Sequence, residues 1–275
     1  MRLSASNLAL QYDELVVATD LSIDVPDGQI SALIGPNGSG KSTLLRALAR
    51  LLRPKGGEVV LDGKAISSYT TKEVARRLAI LPQVLISPES ITVEELVAYG
   101  RFPQRRSIGG MRAEDREAIN WALEVTATSD LRDRPVDHLS GGQRQRVWIA
   151  LVLAQGTDLI LLDEPTTFLD IAYQLEVLEL LKHLHATEGK TIVMVLHDIN
   201  MACEYSQRLF ALRNGKLVAQ GDPRDVLSAS LIREVFGIDA HILEHPTSGV
   251  PMCIPIAAPH SRPAEQAPAV VPVGS

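Results

Sequence analysis

The stretch Gly35-Pro36-Asn37-Gly38-Ser39-Gly40-Lys41-Ser42 constrains this chain more than any other feature. It lies between a short apolar run, Ile30 to Ile34, and a segment with helical spacing, Lys41 to Leu52. Gly35, Gly38 and Gly40 let the backbone curl until successive N–H groups face one point, at a helix N-terminus that already favours anions. Lys41 then supplies a point charge to the β- and γ-phosphates of a nucleotide, and Ser42 offers a hydroxyl to Mg²⁺. The competing reading is a glycine-rich turn before an ordinary helix. The strand on one side and the helix on the other count against it.

Around this loop the first third of the chain predicts strands and turns. Leu8, Leu10 and Tyr12 alternate with polar positions, as do Leu21, Ile23 and Val25 before the turn Pro26-Asp27-Gly28. Gly57 to Ile66 predicts a hairpin through Asp62-Gly63, and Ala79 to Leu81 a further short strand. From about residue 84 to 138 the pattern turns helical, over Glu94 to Tyr99 and Ala113 to Thr126, which predicts a small inserted helical subdomain. Strand–helix alternation then resumes. Leu159 to Leu162 and Ile192 to Leu196 are wholly apolar, as parallel strands covered on both faces must be. Gly237 to Ile256 is open between a packing segment and a regulatory one. Ala257 to Ser275 shifts to Pro and Ala with little to bury and is expected to be a disordered tail.

Two further motifs carry chemistry. Leu159-Ile160-Leu161-Leu162-Asp163-Glu164 places two carboxylates at the end of a buried strand. Paired acids at a strand end are usually loop caps. Downstream of a phosphate-binding loop, Asp163 is positioned to complete a Mg²⁺ shell, mainly through water, and Glu164 to polarise an attacking water. Leu139-Ser140-Gly141-Gly142-Gln143 opens the helical stretch Arg144 to Gln155 and offers backbone donors at a second helix N-terminus. One chain thus carries two phosphate-binding elements for one kind of ligand.

The formal net charge is −6, with no basic footprint, which disfavours a nucleic-acid partner. The two cysteines, Cys203 and Cys253, form no CxxC and suit a reducing compartment as small buried apolar groups. No run approaches the ~18 apolar residues of a spanning helix, so the chain is expected to be soluble and any membrane role to pass through a partner.

Taken in order, the glycine loop, Gln83, Leu139–Gln143, Asp163-Glu164, Leu169-Asp170 and His197 resemble the ATPases of ABC transporters, over residues 1 to 256. The resemblance implies an α/β fold: a P-loop NTPase (RecA-like) core with an N-terminal antiparallel β subdomain and an inserted α-helical subdomain. It implies ATP and Mg²⁺ as ligands. Nucleotide would be held by Tyr12, stacking on adenine, and by Gly35, Pro36, Asn37, Gly38, Ser39, Gly40, Lys41, Ser42 and Thr43. A second copy would contribute Ser140, Gly141, Gly142 and Gln143, with Asp170 communicating between copies. Glu164, His197 and Gln83 would be catalytic, His197 at the γ-phosphate, and Ser42, Gln83 and Asp163 would hold Mg²⁺. By spacing alone Tyr12 is more often a core residue and His197 a loop histidine. Phe168 stands where the family more often has a small residue.

Within that family the segments YTTKEVARRLAILPQ, VEELVAYGRFP, DEPTTFLD and VLHDINMAC are similar to ATPases that import ferric siderophores, with cobalamin and haem importers nearby. The implied partners are a second copy of the chain, integral membrane permease subunits and, indirectly, a periplasmic or lipid-anchored substrate-binding protein. The implied location is the cytoplasmic face of the inner membrane, as a peripheral subunit. The permease is expected to dock on the helical insertion, on exposed Leu85, Ile86, Val97, Tyr99 and Phe102 rimmed by Arg101, Arg105 and Arg106. The same residues could instead form a solvated basic loop. A soluble ABC-type machine acting on nucleic acid or ribosomes is the alternative of another class, and the single glycine loop and acidic balance weigh against it. An exporter ATPase shares the motor residues.

Overall fold

The computed structural model describes residues 2–105, 110–167 and 169–257. The chain starts with β1 (Leu3–Tyr12), β2 (Leu15–Val25) and β3 (Ile30–Ile34), then α1 (Lys41–Leu48), the hairpin β4 (Gly56–Leu61) and β5 (Lys64–Ala65), α2 (Thr71–Ala75) and β6 (Leu78–Leu81). A helical stretch follows, with α3 (Val93–Tyr99), α4 (Ala113–Val125) and α5 (Gly141–Ala154). Then come β7 (Leu159–Leu162), α6 (Ile171–Glu188), β8 (Thr191–Val195), α7 (Ile199–Tyr205), β9 (Arg208–Arg213) and β10 (Lys216–Gly221). The described chain closes with α8 (Pro223–Val226), α9 (Ala229–Phe236), β11 (Asp239–Glu244) and β12 (Pro251–Ala257).

The strands form three sheets: β2-β1-β4-β5, β10-β9-β3-β8-β7-β6 and β11-β12. In the six-stranded sheet β9, β3, β8, β7 and β6 run parallel, and β10 pairs antiparallel with β9 at one edge. Successive residues of a strand point to opposite faces, so its wholly apolar strands feed two cores. Ile192 and Met194 pack with the helices α3 to α7 on one face. Val193 and Val195 pack on the other with α1 and the four-stranded sheet.

Local chemistry explains most boundaries. The helical pattern from Lys41 predicts a helix to Leu52, but α1 ends at Leu48. Arg50 turns left-handed (φ 59), Leu51 N donates to Arg46 O and Arg50 N to Ala47 O, so a paired C-terminal cap stops the helix. Asp62 and Gly63 (φ 48 and 76) make the expected tight hairpin turn. Asn214 and Gly215 (φ 50 and 72) make a second between β9 and β10. That second turn presses into the rest of the fold. Gly215 N donates to Ser39 O, and a Cβ at Gly215 would lie 1.9 Å from the Val17 carbonyl oxygen.

The helical stretch departs from two expectations. Val97 is fully buried between α3 and its neighbours, not exposed. Arg101 is also buried: its Nε donates to Asp115 Oδ1 at 3.0 Å and its Nη1 to Ala154 O at 2.8 Å. A charge removed from water needs such a pair, and Asp115, itself fully buried, supplies it from α4. Leu85 is half-buried against the core, whereas Ile86, Tyr99 and Phe102 are exposed. Arg106 and Phe168 lie outside the described residues. At its far end α5 is latched to the sheet, because the Gln155 amide donates to Ala75 O and Leu78 O.

The segment from Gly237 onward builds the β11–β12 hairpin, packed on α7 and α9. Asn200 of α7 clamps it, accepting from Cys253 N and donating to Cys253 O. Ala257, expected in the tail, is the last residue of β12, paired with Asp239; residues 258–275 lie outside the described residues. Cys203 and Cys253 are both free and buried, and burial pushes the Cys203 thiol up to about 12.

The Gly215 contact leaves no room for a side chain. Gly215→Ala is expected to lower stability by about 2 kcal/mol or more, read as a fall in the urea midpoint. An unchanged midpoint would mean that this turn does not press on Val17.

Candidate functional site

Four of the parallel strands deliver the site. β3 runs directly into Gly35, and β7 runs directly into Asp163 and Glu164. Gln83 lies two residues beyond the end of β6, and His197 two beyond β8. Parallel pairing sets Leu81 opposite Leu162, Leu162 opposite Met194 and Leu33 opposite Val195. The four loops therefore leave the sheet along one edge, at the carboxyl ends of its strands, where open α/β sheets place their ligands.

At this edge the glycine loop is fixed by close approach. Gly35 (φ 147) could carry no Cβ, which would fall 2.1 Å from Leu212 O, and Gly40 (φ 99) is the N-cap of α1. Lys41 is buried and its Nζ donates to Gly35 O at 2.8 Å and Pro36 O at 3.0 Å. Burial lowers its pKa, and the charges of Glu164 and Asp163 partly restore it. Ser42 Oγ donates to Asp163 Oδ1 at 2.7 Å, bringing a hydroxyl and a carboxylate together. With the Gln83 amide these are hard oxygen donors of the kind that a small divalent cation takes.

Glu164 is held from three sides. Its Oε2 accepts from Gln83 Nε2 at 2.9 Å and from Thr167 Oγ1 at 3.0 Å; its Oε1 lies 2.8 Å from His197 Nε2. Burial alone would raise this carboxyl, yet His197, Thr167 and Gln83 together hold it below the ordinary carboxylate range. Asp163 next to it goes the other way: burial pushes it up, the Ser42 hydrogen bond opposes, and the Glu164 charge adds to the rise. Adjacent carboxyls are thus driven apart in acidity, as acid–base sites require. Glu164 also sits at φ 56, a left-handed conformation that non-glycine residues rarely adopt and that clusters at working sites.

The helix N-terminus at Ser140 does not border the glycine-loop cavity, but Gly141 lines a neighbouring cavity with Gln83 and Glu164. Ser140 caps α5, its Oγ accepting from Gln143 N while Gln143 Oε1 accepts from Ser140 N. Gly141 faces open space, and Gly142 is buried against the Tyr173 ring, about 3.0 Å from where a Cβ would stand. Asp170 caps α6 through Tyr173 N. The cavity over the glycine loop is bounded by residues of Asn37 to Thr43, Gln83 and Glu164, and none of Ser140 to Gln143 borders it. Tyr12, at the end of β1, is partly exposed, with Arg46 of α1 reaching its hydroxyl at 3.5 Å.

Three contributors escape a motif reading. Thr167 is one, and its position three residues after Glu164 in a turn is the signal that could have pointed to it. Tyr173, which links Asp170 to Gly142, and the Leu212 to Gly215 turn behind the glycine loop leave no pattern in the sequence.

Fold and site together define a P-loop ATPase. A family model described as ABC transporter matches residues 18–167, more than half of the chain, and the chain belongs to that family. It is 50% identical over 255 residues to the ferric enterobactin transport ATP-binding protein FepC of Escherichia coli (strain K12), covering 93% of this chain and 94% of the relative. It is 48% identical over 252 residues to the iron(3+)-hydroxamate import ATP-binding protein FhuC of Bacillus subtilis (strain 168), covering 92% and 94%. A metal-chelate type ABC transporter solved in an inward-facing conformation superposes with TM-score 0.80 at 29% identity, covering 93% of this chain and 97% of that one. A dimeric bacterial ABC transporter cassette gives TM-score 0.72 at 29% identity, covering 80% and 98%. The expected fold class is the one observed. Among the described residues no helix is long and apolar enough to cross a membrane.

One hydrogen bond to an ionised carboxylate is worth roughly 1.5–3 kcal/mol, about one to two pH units. Thr167→Val removes a donor to the ionised Glu164, which raises its pKa. The acid limb of the ATPase pH profile should therefore move up by roughly one pH unit. A limb that stays in place would show that Glu164 does not set it.

Proposed function

We propose that this chain is the ATP-hydrolysing subunit of an importer for a ferric siderophore, working as a pair of copies on the cytoplasmic face of the inner membrane. The observation that supports the motor reading is that, within one chain, none of Ser140–Gln143 borders the cavity over the glycine loop, and Gly141 lines only a neighbouring cavity beside Gln83 and Glu164. Two copies facing head to tail bring each element to the other's loop and make two composite ATP sites.

In each site Lys41 would hold the phosphates, and Ser42, Asp163 and Gln83 would hold Mg²⁺. Mg²⁺, when bound, neutralises charge on the β- and γ-phosphates. Glu164, kept ionised, orients and polarises the attacking water. All three of its present partners compete for that water's place, so the exposed Gln83 amide and His197 must yield part of their hold on it. Both then stand beside the γ-phosphate, where His197 donates to it. Tyr12 offers the adenine face, and Asp170 reports between copies from the cap of α6.

The cargo reading rests on relatives named for enterobactin and hydroxamate transport and on a metal-chelate transporter of the same fold. We divide the chain into an ATPase domain, 1–256, with a helical subdomain over about 84–138, and a terminal segment. The permease docks beside that subdomain, where a groove is bordered by Pro88, Glu89, Tyr99, Phe102 and Arg105. Tyr99 and Phe102 stack at 5.0 Å with Arg105 over the Phe102 ring, giving the groove an aromatic floor and a rim of mixed charge from Arg105, Glu89 and Glu95.

Glu164→Gln should bind ATP, fail to turn it over and sediment as a stable dimer; a monomer at saturating ATP would overturn the paired site. With the permease reconstituted, binding protein loaded with a ferric siderophore should stimulate ATP hydrolysis several-fold. Stimulation by a corrinoid or haem alone would replace the cargo and keep the motor.

A further inference from the structure

The cavity that Gly141 shares with Gln83 and Glu164 has a volume of about 320 Å³, and a further residue of α5, Gln145, stands in its wall. Gln145 is only 8% exposed, and among the described residues its carboxamide has no hydrogen-bond partner. A buried amide without a partner is costly. Beside a working site, such a group points to a bond made in another state of the molecule.

Gln83, on the same cavity, supplies the second observation. Its Nε2 donates to Glu164 Oε2 at 2.9 Å, so the nitrogen end of this carboxamide faces the carboxylate. A hard cation takes the oxygen end of a carboxamide. To serve as a Mg²⁺ ligand, Gln83 must turn its oxygen to the metal and take its N–H groups off Glu164. Those N–H groups then need an acceptor. The cavity's side chains offer few: Thr167 Oγ1 is committed to Glu164, and Arg144 carries donors only. The carbonyl oxygen of Gln145 is the uncommitted acceptor.

We propose that Gln145 is a positioning residue for ATP hydrolysis. Its carbonyl oxygen accepts the Gln83 amide when Gln83 leaves Glu164, and so holds the Gln83 oxygen toward Mg²⁺. The exchange replaces one hydrogen bond of Gln83 by another and frees Glu164 Oε2 for the attacking water. Gln145 lies on the same helix as the Ser140 cap, within its first two turns. The bond therefore ties the end of α5 that carries Ser140 to the residue that restrains Glu164. The proposal rests on the reading of Gln83 as a Mg²⁺ ligand made above.

The test is equilibrium binding of a non-hydrolysable ATP analogue to the full chain, followed as Mg²⁺ is raised. Gln145→Met keeps the length of the side chain and removes the acceptor. Loss of one hydrogen bond between neutral amides should raise the Mg²⁺ concentration for half-saturation about fivefold, with binding in EDTA unchanged. Gln145→Glu, which keeps an acceptor oxygen, should stay at or below the parent value. In a Gln83→Ala background Gln145→Met should have no further effect, because nothing remains to be held. Equal losses in both backgrounds would mark a packing role and overturn the proposal, as would no loss in either. If Gln83→Ala alone leaves the Mg²⁺ dependence unchanged, the metal role of Gln83 falls, and this proposal with it. Gln145→Ser, which withdraws the amide, carries the same expectations should the Met chain not fold.

Discussion

Everything at the nucleotide edge depends on the parallel hydrogen-bond register of β6, β7, β8 and β3. A slip of one residue in any of these pairings would turn every side chain of that strand to the opposite core and move its terminal loop by about 3.3 Å. The two cores forbid the slip, because each strand carries apolar groups to both faces. The Asp163 amide even extends the ladder, donating to Leu81 O beyond the last strand residue. The placement of four chemically distinct groups within reach of one another is thus a by-product of packing. It is also the reason why such short strands suffice.

Glu164 is at once acidified and restrained. Its carboxylate is ionised but engaged with groups from three different loops, and its backbone is held left-handed. Of the three partners, Thr167 belongs to its own turn, while Gln83 and His197 come from the ends of neighbouring strands. Gln83 also stands at the root of the segment that leads to the helical stretch. Its hydrogen bond to Glu164 therefore ties the start of this segment directly to the carboxylate.

Much of this was legible in the sequence, and what was not has physical reasons. The apolar runs ending in Gly35, Asp163 and His197 declare buried strands with loops at one end, because nothing else tolerates such runs in so short a space. The glycine loop could be read because a backbone that must curl around an anion excludes side chains. Val97 and Arg101 were misplaced for a different reason. Exposure in a short helical stretch is decided by which helices pack on it, and a sequence shows a charge but not its partner. Asp115 lies 14 residues from Arg101 on another helix, so no local spacing announces their buried pair. The early end of α1 at an arginine in a glycine-like conformation was equally hidden, since it is set by cap hydrogen bonds.

The latch at Gln155 gives α5 a mechanical character. Its C-terminal end is fastened to the carbonyls of Ala75 and Leu78 beside the central sheet, while its N-terminal end carries Ser140 among the other helices. Fourteen helical residues make a stiff rod of about 21 Å. Swinging such a rod by ~10° about its fastened end sweeps the free tip through roughly 3.6 Å, more than the length of a hydrogen bond. A displacement of that size would decide whether a group lies within hydrogen-bond reach of Ser140, so the packing of Gly142 on the Tyr173 ring, which holds this end of the rod, fixes where Ser140 stands.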